Sequence, residues 1–285
     1  MYRTFFGQDP CTTPMLIFPA THYSMGGLWV SYEKDGNTGG MQRVHPRNHA
    51  TSIPGLYACG ECDFAYHGAN RLGANSLLSA SFSGRVAGDA AVAYVRNLTS
   101  SAASVPESCY EHERRRQEEI NQALLSAEQG ENPFTLHAQL GDLMREYVFV
   151  ERSNAGLDHA LARIAELKER SQRMALDDHS SWANQSLSSA RQIRDMIILA
   201  EVIATSARRR DECRGAHYKP EFELKVPEGK FEGDPEYEEY KAQWKANNEK
   251  WLKHTIATHT PDGPQIEYLP VELSILPPEK PRDYR

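Results

Sequence analysis

From Pro106 to about Arg210, apolar residues recur every three or four positions, and most of the runs follow a residue able to cap a helix. Asn132-Pro133 offers an N-cap followed by proline at the first helical position. Leu136, Leu140, Leu143 and Met144 then share one face. Ser153 opens a second segment with Leu157, Leu161, Ile164 and Leu167 on one side, and Ser181 a third with Ile193, Met196, Ile197 and Ala200. Amphipathic helices in succession hide their apolar stripes best against each other, which predicts an antiparallel helical bundle over residues 106–210. The basic run Arg114-Arg115-Arg116 reads as a solvated helix face.

The flanks follow other rules. Residues 1–99 hold much of the glycine and the short apolar runs Leu16-Ile17-Phe18, Leu28-Trp29-Val30 and Leu56-Tyr57-Ala58, which read as strands. Lys34 to Gly40 is turn-rich and suggests a hairpin or an exposed insertion. Ser76 to Val95 reads as a helix, and its small residues Ala80, Ser83, Gly84, Ala87 and Gly88 predict close packing on a neighbouring backbone. Ser100 to Ser104 reads as a linker. Residues 211–285 are rich in Pro, Tyr, Lys and Glu with little periodicity, so an extended tail with one short helix near Asp234 to Leu252 is expected. Such a tail is ordered only by lying on the rest of the protein. The class is α+β.

The 285 residues carry 25% charged side chains and a formal net charge of -7, so no global basic field draws nucleic acid. The longest apolar stretch, Met196 to Ala204, is interrupted by Glu201 and falls short of the ~20 residues that span a bilayer. MYRTFFGQDP lacks the apolar core of a signal peptide. The chain therefore reads as cytosolic, or as peripheral to a membrane through a partner. Its five cysteines are scattered and odd in number, which argues against a disulfide framework, and the sequon at Asn97 carries no weight without secretion.

Three stretches could carry chemistry. Cys59-Gly60-Glu61-Cys62 has the spacing of a redox dithiol or half a zinc site, but no second ligand pair exists and the pair follows a strand rather than opening a helix. Glu61, just past that strand, is either a solvated loop residue or an acceptor for ribose hydroxyls. In His67-Gly68-Ala69-Asn70-Arg71-Leu72-Gly73-Ala74-Asn75-Ser76-Leu77-Leu78, small residues allow close backbone approach, Asn75 or Ser76 can cap the helix, and Arg71 is a fork suited to a carboxylate. In Thr21-His22-Tyr23-Ser24-Met25-Gly26-Gly27, His22 could donate to an anion or serve the fold alone.

Together FPATHYSMGGLWV, IPGLYACGE, HGANRLGANSLL and the later RRRDECRGAHY resemble, in the same order, the flavoprotein subunit of succinate dehydrogenase and fumarate reductase. The resemblance implies the C-terminal part of a Rossmann-type FAD-binding domain over 1–99, followed by the bundle and the tail. It implies FAD as cofactor, with Glu61 on the ribose and Asn75, Ser76 and Leu77 at the flavin. His22 and Arg71 would bind the dicarboxylate of succinate or fumarate. Partners implied are an iron–sulfur subunit and, through it, a cytochrome b-type membrane anchor, placing the protein at the cytoplasmic face of the cell membrane.

In that family a Gly-x-Gly-x-x-Gly diphosphate site and a capping domain with the proton-transferring arginine come earlier, and neither is present in this sequence. The chain thus reads as the C-terminal portion of such a subunit, with no catalytic or metal-binding residue of its own, and inactive alone. The stretch from Ser31 to Thr51 looks like an insertion, and the resemblance assigns no role to His45 or His49. L-aspartate oxidase is a rival, since it shares a similar segment, but Gly73-Ala74 before Asn75 and Ser79 after the Leu pair favour the dehydrogenase. A non-catalytic interaction module is the rival from another class.

The cysteine reading has a direct test. Replacing Cys59 and Cys62 with Ser in the complete flavoprotein should leave succinate–dye reductase activity intact and the protein free of zinc. Lost activity at normal flavin content, or stoichiometric zinc in the parent, contradicts it.

Overall fold

The computed structural model describes residues 2–15, 22–276 and 278. The expected strand Leu16-Ile17-Phe18 and Thr21 lie outside them. Among the described residues the chain is helix-rich, with one two-stranded sheet.

A short helix α1 (Tyr2–Phe6) precedes a loop-built region. Here the expected strands appear only as single bridges, Leu28 to Asp63 in parallel and Ala50 to Tyr57 antiparallel. A few further bonds extend them: His49 N donates to Ser31 O (2.8 Å) and Ala58 N to His49 O (3.1 Å). Side chains therefore do much of the ordering. Lys34 to Gly40 closes the expected hairpin-like turn through Asp35 N to Gly40 O (2.7 Å). Helix α2 (Asn75–Arg96) matches the predicted span. Ser83 and Ala87 are buried as expected, but Gly84 and Gly88 face open space, so the close packing is confined to one side of the helix.

The region Ala102–Ser104 makes one exposed 3-10 turn where a linker is expected. Then follow α3 (Glu107–Ser126), α4 (Pro133–Tyr147), α5 (Asn154–Arg170) and α6 (Gln185–Arg208). Their caps form as read: Asn132 accepts from Phe134 N (2.9 Å) and Ser153 from Gly156 N (3.1 Å). The third cap moves from Ser181 to Asn184, which accepts from Leu187 N (2.8 Å) while its amide donates back to Asp178 O and Ser180 O. Those extra anchors favour Asn over Ser at the turn. Helices α4, α5 and α6 pack on one another around Leu136, Leu157, Ile164, Ile193 and Ile197, with α3 against α6. Met196, expected in that stripe, is 39% exposed. Arg114 and Arg116 pair with Glu111, Glu118 and Glu113 on the open face of α3.

The tail departs from expectation. Helix α7 (Pro235–Trp251) is where it was predicted, but a hairpin of β1 (Lys253–Thr260) and β2 (Gly263–Pro270) replaces extended chain, in register from Lys253 opposite Pro270 to Thr260 opposite Gly263. Asp262-Gly263, with Gly263 at φ 109°, is a recognisable hairpin signal between two alternating runs. The hairpin reaches the first region through His254, which sits edge-on to Phe64 (5.3 Å) and Trp29 (6.0 Å), and the residues beyond it do so through a Lys34–Glu272 ion pair (2.9 Å).

A buried polar cluster joins these parts. Glu212 is 1% exposed and pairs with both Arg210 and Arg214. Arg210 also donates to Lys253 O (3.0 Å) and stacks on Trp251, and Arg214 donates to Asn248 Oδ1 (2.8 Å). Lys219, fully buried, donates to Asn154 Oδ1 (2.7 Å) and Asp211 Oδ1 (3.0 Å). His217 accepts at Nδ1 from Arg152 (2.7 Å) and donates from Nε2 to Arg210 O (2.8 Å). Burial, and then the cations Arg152, Lys219 and Arg210, push its pKa from 6.5 down to about 4.

Two outcomes follow from this packing. Ile164→Ala removes a side chain with no exposure from the centre of the bundle and should cost about 2–5 kcal/mol in urea unfolding. His217 stays neutral when folded but binds a proton when unfolded, so it withdraws stability as pH falls from 6.5 through about 4 and has no such effect above 6.5. His217→Gln, which cannot be protonated, should flatten the fall of Tm across that window; an unchanged slope would show that other groups set it.

Candidate functional site

The candidate residues meet where the Gly26-Gly27 segment, the loop after Ala58 and the start of α2 converge. Leu28 N donates to Cys62 O (2.7 Å), and Phe64 N to Leu28 O (3.3 Å). A Cβ on Gly27 would lie 2.4 Å from Cys62 O, so only glycine permits this approach. Ala58 is buried, and Gly60, at φ 77°, turns the chain and donates its amide to Ser83 on α2 (2.8 Å). Glu61 is thereby carried to the surface, where its Oε1 accepts from Ser24 N (2.9 Å). This bond ties the Glu61 loop to the His22 segment and leaves the carboxylate acceptor capacity to spare.

Gly60–Cys62 is a single 3-10 turn, so the cysteines do not open a long helix. Cys62 donates to Cys59 O (3.2 Å), and burial pushes the Cys59 thiol up, away from a reactive thiolate.

The His67 to Ala74 loop is pinned at several points. The Ser79 hydroxyl donates to Ser76 O (2.9 Å) and so accepts from His67 Nε2 (2.9 Å). Tyr23 packs edge-on to the His67 ring at 4.9 Å. The guanidinium of Arg71 lies 5.6 Å from the centre of the same Tyr23 ring. Arg71 Nη1 reaches Leu72 O (3.2 Å), while its buried Nε has no hydrogen-bond partner. Tyr23 thus brings Arg71 to the segment that carries His22, which is exposed.

The start of α2 corrects one expectation. Neither Asn75 nor Ser76 caps it: Ala74 occupies the N-cap in the left-handed region, φ 63°, with no capping side chain. Asn75 and Ser76 are half-buried and Leu77 is 81% exposed. An uncapped terminus of a 22-residue helix keeps first-turn amides for an electron-rich ligand. With acceptor capacity left on the Glu61 carboxylate beyond its bond from Ser24 N, and an exposed apolar side chain at Leu77, these residues fit a flavin nucleotide.

Two features escaped the sequence. His49, at φ 61° and 2% exposed, donates from Nδ1 to Ala58 O (3.0 Å) and accepts at Nε2 from the Tyr66 hydroxyl. Asp63 Oδ2 lies 3.7 Å from His49 Nδ1, and burial followed by the Asp63 charge pushes Tyr66 up to about 12. His49 therefore braces the loop under Glu61, a structural role within the supposed insertion. Tyr23, beside His22, is the ring that Arg71 rests on. His45 only accepts from Arg47 N (3.3 Å).

Residues 137–284 match the family model described as fumarate reductase flavoprotein C-term, and residues 2–77 match an FAD binding domain. The chain is 41% identical over 286 residues to the succinate dehydrogenase flavoprotein subunit of Bacillus subtilis (strain 168), covering 100% of this chain and 42% of that protein. It superposes on a mutant E. coli quinol fumarate reductase chain with TM-score 0.75 and 30% identity, over 98% of this chain and 41% of that one. A quinol–fumarate reductase solved with menaquinol molecules gives TM-score 0.73 at 30% identity, over 97% and 42%. The chain therefore spans about two-fifths of the length of these relatives. The expected family is borne out, and with it FAD as the cofactor: this chain belongs to the succinate dehydrogenase/fumarate reductase flavoprotein family.

Proposed function

We propose that the chain supplies the C-terminal portion of a flavoprotein subunit that interconverts succinate and fumarate. In this reading residues 1–99 complete a Rossmann-type FAD-binding domain, residues 106–210 form a helical bundle domain, and residues 211–285 are a C-terminal segment. FAD, when bound, supplies the hydride acceptor or donor.

The observation that carries the reading is Arg71, whose buried Nε is unpartnered beside Tyr23 and the uncapped end of α2. A guanidinium held by its ring contact, with donors unspent, suits a carboxylate in a fixed plane. His22 would donate to the dicarboxylate from the neighbouring segment. Fixing both ends of a four-carbon dicarboxylate orients its central bond and stabilises charge that develops there. Glu61 would accept from ribose hydroxyls, and the Asn75, Ser76 and Leu77 backbone would face the flavin.

Electron transfer to an iron–sulfur subunit, and on to a quinone at a cytochrome b-type membrane anchor, completes the proposal. It is supported by the naming of relatives as subunits and as quinol-linked reductases. Peripheral attachment through those partners at the cytoplasmic face belongs to the same proposal; among the described residues no helix is long and apolar enough to cross a membrane.

Arg71→Lys in the complete flavoprotein keeps the charge but loses the fork. At about 2–4 kcal/mol for a broken charge-assisted pair, turnover efficiency with succinate should fall roughly thirtyfold to a thousandfold. Flavin content should stay near that of the parent. Activity within about threefold of the parent at matched flavin occupancy removes Arg71 from the site.

A further inference from the structure

The loop that carries Arg71 is pinned from behind by a second turn, far along the chain. Arg214 to His217 closes on itself through paired backbone bonds, Arg214 N to His217 O (2.8 Å) and His217 N to Arg214 O (3.0 Å). At its tip Ala216 N donates to Ala69 O (2.9 Å), two residues before Arg71. Gly215 sits at φ 58°, and a Cβ there would lie 2.3 Å from Ala69 O and 2.5 Å from the carbonyl carbon. The two backbones touch, and a methyl group would have to push the Ala69 peptide away. No flexible side chain stands between them to absorb the displacement.

The rear of the turn cannot yield instead. Arg214 is held by buried Glu212 and by Asn248 on α7, and His217 by Arg152 and the Arg210 carbonyl. On the other side, the Arg71 loop is tied by the contacts of His67 and Arg71 with the Tyr23 ring, by His67 to Ser79 and Arg71 Nη1 to Leu72 O, and by the backbone bonds Asn70 N to His67 O and Asn75 N to Leu72 O. Arg71 lies between the Ala69 contact and the last of these. A shift at Ala69 is therefore carried into Arg71.

We infer that Gly215 and Ala216 are positioning residues for the dicarboxylate site, setting the place of Arg71 through the Ala69 carbonyl. The inference rests on the functional reading above and adds to it a determinant of substrate affinity in the region beyond the bundle. It makes the polar cluster around Glu212 part of the site's accuracy as well as of the fold.

The test uses the complete holoenzyme and malonate, a dicarboxylate that binds without reacting, titrated by the flavin difference spectrum. Gly215→Ala should raise the malonate Kd by about tenfold or more, equivalent to about 1.4 kcal/mol of lost pairing at Arg71. FAD content should not change. Gly130→Ala is the matched control: in the exposed loop between α3 and α4 its Cβ would meet Arg173 O at 2.3 Å, so it should lower Tm while leaving the malonate Kd alone. Arg214→Lys, a milder loosening of the same turn, should move the Kd in the same direction and serves if Gly215→Ala does not fold. In an Arg71→Lys background Gly215→Ala should add little, because the effect runs through Arg71.

A lowered Tm with a malonate Kd within about threefold of the parent, in Gly215→Ala or in Arg214→Lys, overturns the inference and leaves the functional reading standing. Full additivity with Arg71→Lys overturns it too. A parent holoenzyme that binds no dicarboxylate overturns the functional reading itself, and the inference with it.

Discussion

Glu212 is the interaction on which much of the rest depends. Its carboxylate has no solvent exposure and is shared by Arg210 and Arg214, with Asn247 donating as a third partner (3.1 Å). Burying a carboxylate carries a desolvation penalty that is offset only when every lone pair is met, as it is here. Removing Glu212 would leave Arg210 and Arg214 without their shared carboxylate, and breaking a buried pair in this way typically costs about 3–5 kcal/mol. Through these partners one residue joins the end of α6, the last turns of α7 and the first residue of β1. Through Arg214 it also holds the turn that touches Ala69.

The first region is organised by a different means. With single bridges in place of ladders, its backbone depends on side chains that reach across loops: Asn48 to Glu33 N (3.0 Å), His49 to Ala58 O, Glu61 to Ser24 N, and Ser83 to Gly60 N. Buried backbone groups must find partners somewhere, and here small polar side chains supply many of them. The consequence for function is geometric. His22, Glu61 and Arg71 sit on loops, yet each loop is tied to α2 or to a neighbouring loop within one or two residues of them, while Asn75, Ser76 and Leu77 open α2 itself.

Charge is placed with the same economy. Arg71 and Glu61 keep unspent hydrogen-bonding capacity at the site, while Arg152, Arg210, Arg214 and Lys219 are all committed to partners in the cluster behind it. Lys219 shows the strain of that arrangement: burial lowers its pKa, and Asp211 opposes the shift.

The bundle was legible from sequence because its information is local. Periodicity named Leu136, Leu157, Ile164 and Ile193 as core, and caps at Asn132 and Ser153 follow from one side chain and one nearby amide. HGANRLGANSLL marked the site because glycine, a forked cation and a helix start stand together in the chain. The hairpin was also written locally, at Asp262-Gly263, but the tail's Pro- and Lys-rich composition masked its alternation. The shift of the α6 cap to Asn184 depended on carbonyls at Asp178 and Ser180, which only the folded turn brings round. What tertiary structure alone decided are contacts between residues distant in the chain: Tyr23 under Arg71, His49 beneath Tyr66, and Gly215 against Ala69. No spacing rule encodes these, because each depends on how two separately folded segments approach, and that distance is set by the packing of everything between them.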